Sequence, residues 1–171
     1  MPSLPTPRFL EEARTVRALL EGAERHANLA GESLPGAEHL LLSALDLADG
    51  TARRAFRRAG ADPAALAAAI ERQHADALAA VDVVAPDDLP VVPAPRPGGP
   101  FRATPAAQSA FRRAYELSAT PKPRRLLGAH VVIAIGELGE GTAARSIRAL
   151  GIEPDRLAVV AREVLDEGTG T

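Results

Sequence analysis

The chain contains the same text twice. Sliding the 171-residue sequence by 91 positions places His39 on His130, Leu47 on Leu138, Gly50-Thr51-Ala52 on Gly141-Thr142-Ala143 and Arg54 on Arg145. The same offset places Arg57 on Arg148, Gly60 on Gly151, Pro63 on Pro154 and Leu66-Ala67 on Leu157-Ala158, with no gap. That makes 11 identities across the 29 positions from His39 to Ala67, and an acid is kept at three more pairs: Asp46/Glu137, Asp49/Glu140 and Asp62/Glu153. Chance matches in an Ala-rich chain fall on alanine, not on glycine, proline and histidine punctuation. A duplication of this length confines the fold to two copies of one supersecondary unit, each too small to bury its apolar face alone.

Each copy reads as four helices. Leu10, Ala13, Val16, Leu20, Ala23 and Ala27 recur at three- and four-residue spacing and make one apolar stripe on a long first helix. Its counterpart opens at Thr104-Pro105, a capping hydroxyl followed by proline in the first turn, and continues through Ala107, Phe111, Ala114 and Ser118. The second helix is short and apolar, around Leu40-Leu41-Leu42 or Val131-Val132-Ile133. The third begins near Gly50-Thr51 or Gly141-Thr142 and stops at Gly60 or Gly151, suited to a left-handed cap. The fourth opens with Asp62-Pro63 or Glu153-Pro154. Four Phe, one Tyr and no Trp agree with close helix packing rather than a β-sandwich. The expectation is an all-α protein of about eight helices, a pseudo-twofold bundle with a first repeat at 1–82, a Pro-rich linker at 83–103 and a second repeat at 104–167. Between Val83 and Pro100 six prolines and two glycines exclude a helix. That segment reads either as a connector or as a peptide-like strand lying over a groove.

The punctuation Gly36-Ala37-Glu38-His39-Leu40-Leu41-Leu42, then Gly50-Thr51-Ala52-Arg53-Arg54, then Gly60-Ala61-Asp62 resembles the Clp N-terminal repeat. The family pattern is a G-T-E-H-[IL]-L-L segment, a G-x-A-A segment and a leucine-G-[VI] segment, twice in tandem. The second copy is more worn, with Leu127-Gly128-Ala129-His130 where the family has G-T-E-H. The resemblance implies the N-terminal domain of AAA+ unfoldases that feed a compartmented protease, a domain that recruits substrates and adaptors and in some members reads phosphoarginine. The chain contains no G-x-x-x-x-G-K-[ST] loop, so ATP hydrolysis is not expected. The expectation is a stand-alone recognition domain acting as adaptor, decoy or substrate-binding subunit. The alternative is sequestration of the cyclic-peptide antibiotics that target such domains.

Glu38 matches the family glutamate that accepts the guanidinium part of phosphoarginine, and Ala37 stands where the family has threonine. A carboxylate in a first helical turn suits charge-assisted bonds to a guanidinium, with free N–H groups of that turn left for the phosphate; the plainer reading of Glu38 is a helix cap. Ala129 holds the matching place in the second copy and cannot pair with a guanidinium, so at most one of the two family sites is expected to survive. His39 and His130 read as interior histidines satisfied by backbone carbonyls, with no acid or second histidine at ligand spacing, and His26 and His74 have no motif around them. No metal, cofactor or catalytic residue is expected, and the chain is not expected to be an enzyme.

A net charge of −2 with acids and bases intermixed argues against a nucleic-acid surface. The pairs Arg53-Arg54, Arg57-Arg58, Arg112-Arg113 and Arg124-Arg125 read as an ion-paired face. With no cysteine, no apolar leader and no membrane-length segment, the expectation is a cytoplasmic monomer whose partners are protein substrates or Clp components.

Overall fold

A computed structural model describes residues 7–80, 101–120 and 124–169. The proline-rich segment up to Pro100 lies outside the described residues. Eight α-helices and no strand occur among those described: α1 (Pro7–Leu29), α2 (Ala37–Asp46), α3 (Thr51–Arg58), α4 (Leu66–Ala80), α5 (Pro105–Leu117), α6 (Gly128–Leu138), α7 (Gly141–Ala149) and α8 (Pro154–Thr169). A 3₁₀ turn at Pro63–Ala65 leads into α4, and the Asp62 carboxylate caps it by accepting the Ala64 N–H at 3.0 Å. Thr104 does the same for α5, its hydroxyl accepting the Ala107 N–H at 3.3 Å.

The two short apolar helices are the centre. Eight of the ten residues of α2 and nine of the eleven of α6 are buried. They pack on each other, α1 covers α2, and α5 covers α6. The remaining helices cross between copies: α3 lies on α8 and α6, α4 on α7. One contiguous core therefore runs through both copies, from Leu19, Leu41 and Phe56 to Val132, Ile147 and Leu157.

The copies part company at the fourth helix. α8 packs along most of α6, whereas α4 touches α2 only marginally. Gly136 explains the close side. A Cβ there would lie 2.5 Å from the Pro154 carbonyl oxygen and 2.8 Å from the Ala158 Cβ, so only glycine admits α8 at this distance. The residue at the matching place in the first copy is Leu45. α8 buries side chains as far as Val164, while α4 buries none after Ile70.

Candidate functional site

The N-termini of α2 and α6 occupy matching places and share one device. The third residue of each helix is a histidine that turns back on the residue before the helix. His39 Nδ1 accepts the Gly36 N–H at 3.0 Å, and His130 Nδ1 accepts the Leu127 N–H at 3.0 Å. This is half of a capping box, with imidazole in the place of the usual Glu or Gln. The partner expected from sequence was a carbonyl. It is an N–H instead, which makes Nδ1 the acceptor and leaves the proton of the neutral ring on Nε2. Burial pushes both histidines below the ordinary imidazole value.

Beyond that device the two ends differ. At α6 the free N–H groups are filled from the other copy. The Asp49 carboxylate accepts the Gly128 N–H at 3.2 and 3.3 Å, and the Thr51 hydroxyl accepts the Ala129 N–H at 2.8 Å. Asp49 is itself held by the Thr51 N–H at 2.9 Å and by the Thr51 hydroxyl. Ala129 is fully buried, and a Cβ on Gly128 would lie 2.9 Å from both the Ala44 carbonyl and the Ala52 Cβ. The second copy thus lacks the glutamate and also has no room for a ligand at these amides.

At α2 no side chain accepts the Ala37 or Glu38 N–H among the described residues. Glu140 and Thr142 match Asp49 and Thr51 by sequence, yet Glu140 is exposed and the Thr142 hydroxyl accepts from Arg145 at 3.1 Å. Glu38 is 8% exposed, and its carboxylate folds back over Gly36, where a Cβ would come within 2.6 Å of the Glu38 carboxyl carbon. Around it the structure gathers side chains from three segments. His74 of α4 places Nε2 3.7 Å from Glu38 Oε1 and Nδ1 3.2 Å from Glu32 Oε1, and His39 Nδ1 is 3.8 Å from the same Glu38 oxygen. The expectation that no acid or second histidine accompanies His39 is therefore overturned. Glu32 and His74 carry no sequence signal, because it is folding, not spacing along one helix, that brings them to α2. Asp49 carried one, as half of the acid pair kept beside Gly-Thr in both copies.

Glu32, Glu38 and His39 have donor atoms mutually within 4.8 Å, a spacing that suits a metal ion on distance alone. The chemistry of His39 speaks against it. Nδ1 is spent on the Gly36 N–H, so Nε2 carries a proton and is a donor without a partner among the described residues. Ligation through it would cost the helix cap. Nor is there a hydrolytic triad among the described residues. His26 Nε2 and Asp46 Oδ2 are 2.7 Å apart, but Ser43 donates its hydroxyl proton to the Leu19 carbonyl at 2.7 Å and faces no base.

A second feature lies between α1 and α5, a groove of about 470 Å³ lined by Glu12, Ala13, Val16, Arg17, Phe111 and Tyr115. The Phe111 and Tyr115 rings stack at 6.2 Å, and the Arg124 guanidinium sits 4.1 Å over Tyr115. Some of the arginines elsewhere are ion-paired, as the mixed charge pattern implies. Arg53 pairs with Asp46 at 3.8 Å, and Arg58 pairs with Glu163 at 3.4 Å and with Glu167. Arg113 and Arg162 close on Glu137, whose carboxyl is held below its ordinary value chiefly by the Arg113 hydrogen bond. No described helix is long and apolar enough to cross a membrane.

Residues 13–94 match the family model of the Clp repeat (R) N-terminal domain. The fold is similar to the crystal structure of the N-terminal domain of the caseinolytic protease associated chaperone ClpD from Arabidopsis thaliana. The TM-score is 0.61 at 20% identity, with 97% of this chain and 99% of that chain covered. No curated protein sequence matches the chain.

Proposed function

Since the chain carries a Clp repeat domain over residues 13–94 within a Clp N-terminal-domain fold, we propose that it is a non-catalytic protein-interaction module of Clp-dependent proteolysis. In this reading residues 1–82 and 104–167 are its two repeats, 83–103 their linker, and the protein works as a cytoplasmic monomer. It serves as adaptor, decoy or substrate-binding subunit for Clp components. Its one reading site is the N-terminus of α2, where Glu38 takes the guanidinium of a phosphoarginine and the Ala37 and Glu38 N–H groups face the phosphoryl oxygens. The observation that supports this is the contrast between the two helix ends: Asp49 and Thr51 fill the amides at α6, and among the described residues no side chain fills those at α2.

Calorimetric titration with free phosphoarginine tests the assignment. One site per chain is expected, lost by about tenfold or more in Glu38→Ala, since a charge-assisted bond to a buried carboxylate is worth roughly 1.5–3 kcal/mol. Equal binding by the two proteins, or a stoichiometry of two, removes Glu38 from the site.

The groove between α1 and α5 favours a second reading, uptake of cyclic-peptide antibiotics. An apolar trough with a stacked aromatic pair on one wall suits a ligand of that size and polarity. A thermal shift with such peptides that survives Glu38→Ala but not Phe111→Ala is the expected signature.

A further inference from the structure

We propose that His74 is a built-in counter-cation for Glu38, which closes the α2 site to a guanidinium when the imidazole is charged and opens it when the imidazole is neutral. The inference rests on the reading of Glu38 given above and adds its regulation.

α4 touches α2 only marginally, and the His74 side chain on α4 is about a quarter exposed. Its two nitrogens face two different carboxylates, Nδ1 toward Glu32 at 3.2 Å and Nε2 toward Glu38 at 3.7 Å. A neutral imidazole donates from one nitrogen only, while an imidazolium donates from both. The arrangement is thus complementary to the charged ring. His39 cannot take that role, since its Nδ1 accepts the Gly36 N–H and burial favours its neutral form. His74 is then the one cationic group within ion-pair distance of Glu38 among the described residues.

The surroundings do not compete. On α7, which packs against α4, Arg145 is turned to Thr142 and Arg148 to Glu153 and the Gly139 carbonyl. On α1, His26 is paired with Asp46. The other charged groups near His74 on α4 itself are exposed, with Glu71 one turn before it on the same face and Arg72 and Asp76 on the far side. In the second copy both members of the pair are absent together, with Ala129 matching Glu38 and Leu165 matching His74.

A guanidinium ligand offers Glu38 the same planar N–H donors, so it must displace a charged His74. Imidazole is the side chain whose charge changes between pH 5 and 8, so acidification should close the site. Methylguanidinium is the probe, because its charge is constant over that range. Wild type should bind it several-fold more weakly at pH 5.5 than at pH 8, since only molecules with a neutral His74 are competent. His74→Gln should bind at pH 5.5 as wild type does at pH 8 and show no pH dependence. An unchanged pH profile in His74→Gln overturns the proposal.

A measurement without ligand separates its failure from that of the Glu38 reading. A double-mutant cycle of His74→Gln with Glu38→Gln, followed by urea denaturation, should show coupling at pH 5.5 that is gone at pH 8. No coupling at pH 5.5 overturns the gate whatever Glu38 binds. Coupling together with no methylguanidinium binding by either protein at either pH overturns the ligand reading of Glu38, and the gate with it.

Discussion

The ends of α2 and α6 descend from one sequence, keep the same histidine cap, and have opposite fates. At α6 the chain supplies its own acceptors, Asp49 and Thr51, and seals them under a glycine that leaves no space. At α2 the matching acid and threonine stay away, and a carboxylate is enclosed beside an imidazole. The fourth helices repeat the contrast, α8 closed on α6 at Gly136 and α4 touching α2 only marginally. Duplication supplies two equal helix ends, and a few exchanges decide which has its amides filled by side chains of the other copy.

The contrast is broken most severely at Gly136. Gly136→Leu forces a side chain into the Pro154 carbonyl and Ala158, and is expected to cost about 3 kcal/mol, read as a lower urea midpoint. Next comes the sealed end. Asp49→Ala strips an acceptor from the Gly128 and Thr51 N–H groups and is expected to cost about 2 kcal/mol. The matching Glu140→Ala should change stability by less than about 0.5 kcal/mol, since Glu140 is exposed and caps nothing across the interface. Equal losses in the two variants would mean that the helix ends are energetically alike.

The smallest effect tests what the ends share. Both capping histidines are held neutral by burial, so their folded-state values lie below the unfolded one, about 6.5. The unfolded chain therefore takes up more protons as pH falls. The stability each histidine contributes is complete above about pH 6.5 and is lost below it, by at most about 1.4 kcal/mol per pH unit for each. His130→Gln, which keeps an acceptor for the Leu127 N–H, should flatten the slope of stability between pH 6.5 and 5 without lowering stability much at pH 7.5.

The repeat, the all-helical architecture and the helix starts at Thr104 and Asp62 were legible because each depends on residues near one another in the chain. So was the loss of Glu38's counterpart, a single letter at Ala129. The plug was not, because Asp49 reaches Gly128 across 79 residues and no local pattern encodes that contact. The company of Glu38 was hidden for the same reason: Glu32 lies in a loop and His74 in another helix, and only the fold joins them. The histidine caps were half legible. The repeated position marked His39 and His130 as structural, but the sign of their hydrogen bond depends on a backbone turn that sequence does not display.

The crossing of helices between copies also bears on how the chain acquires its shape. Arg54 donates to the Val164 carbonyl 110 residues away, and Asp49 and Thr51 hold α6 across 79 and 78. Helical proteins usually fold fast because their contacts are short-range, and rates fall as the mean loop that must close grows longer. Here the first copy is made with α2, α3 and α4 lacking the surfaces of α6, α7 and α8 on which they come to rest. Its apolar faces stay open until the second copy has been synthesised, and the completed core should then form in one concerted, comparatively slow step.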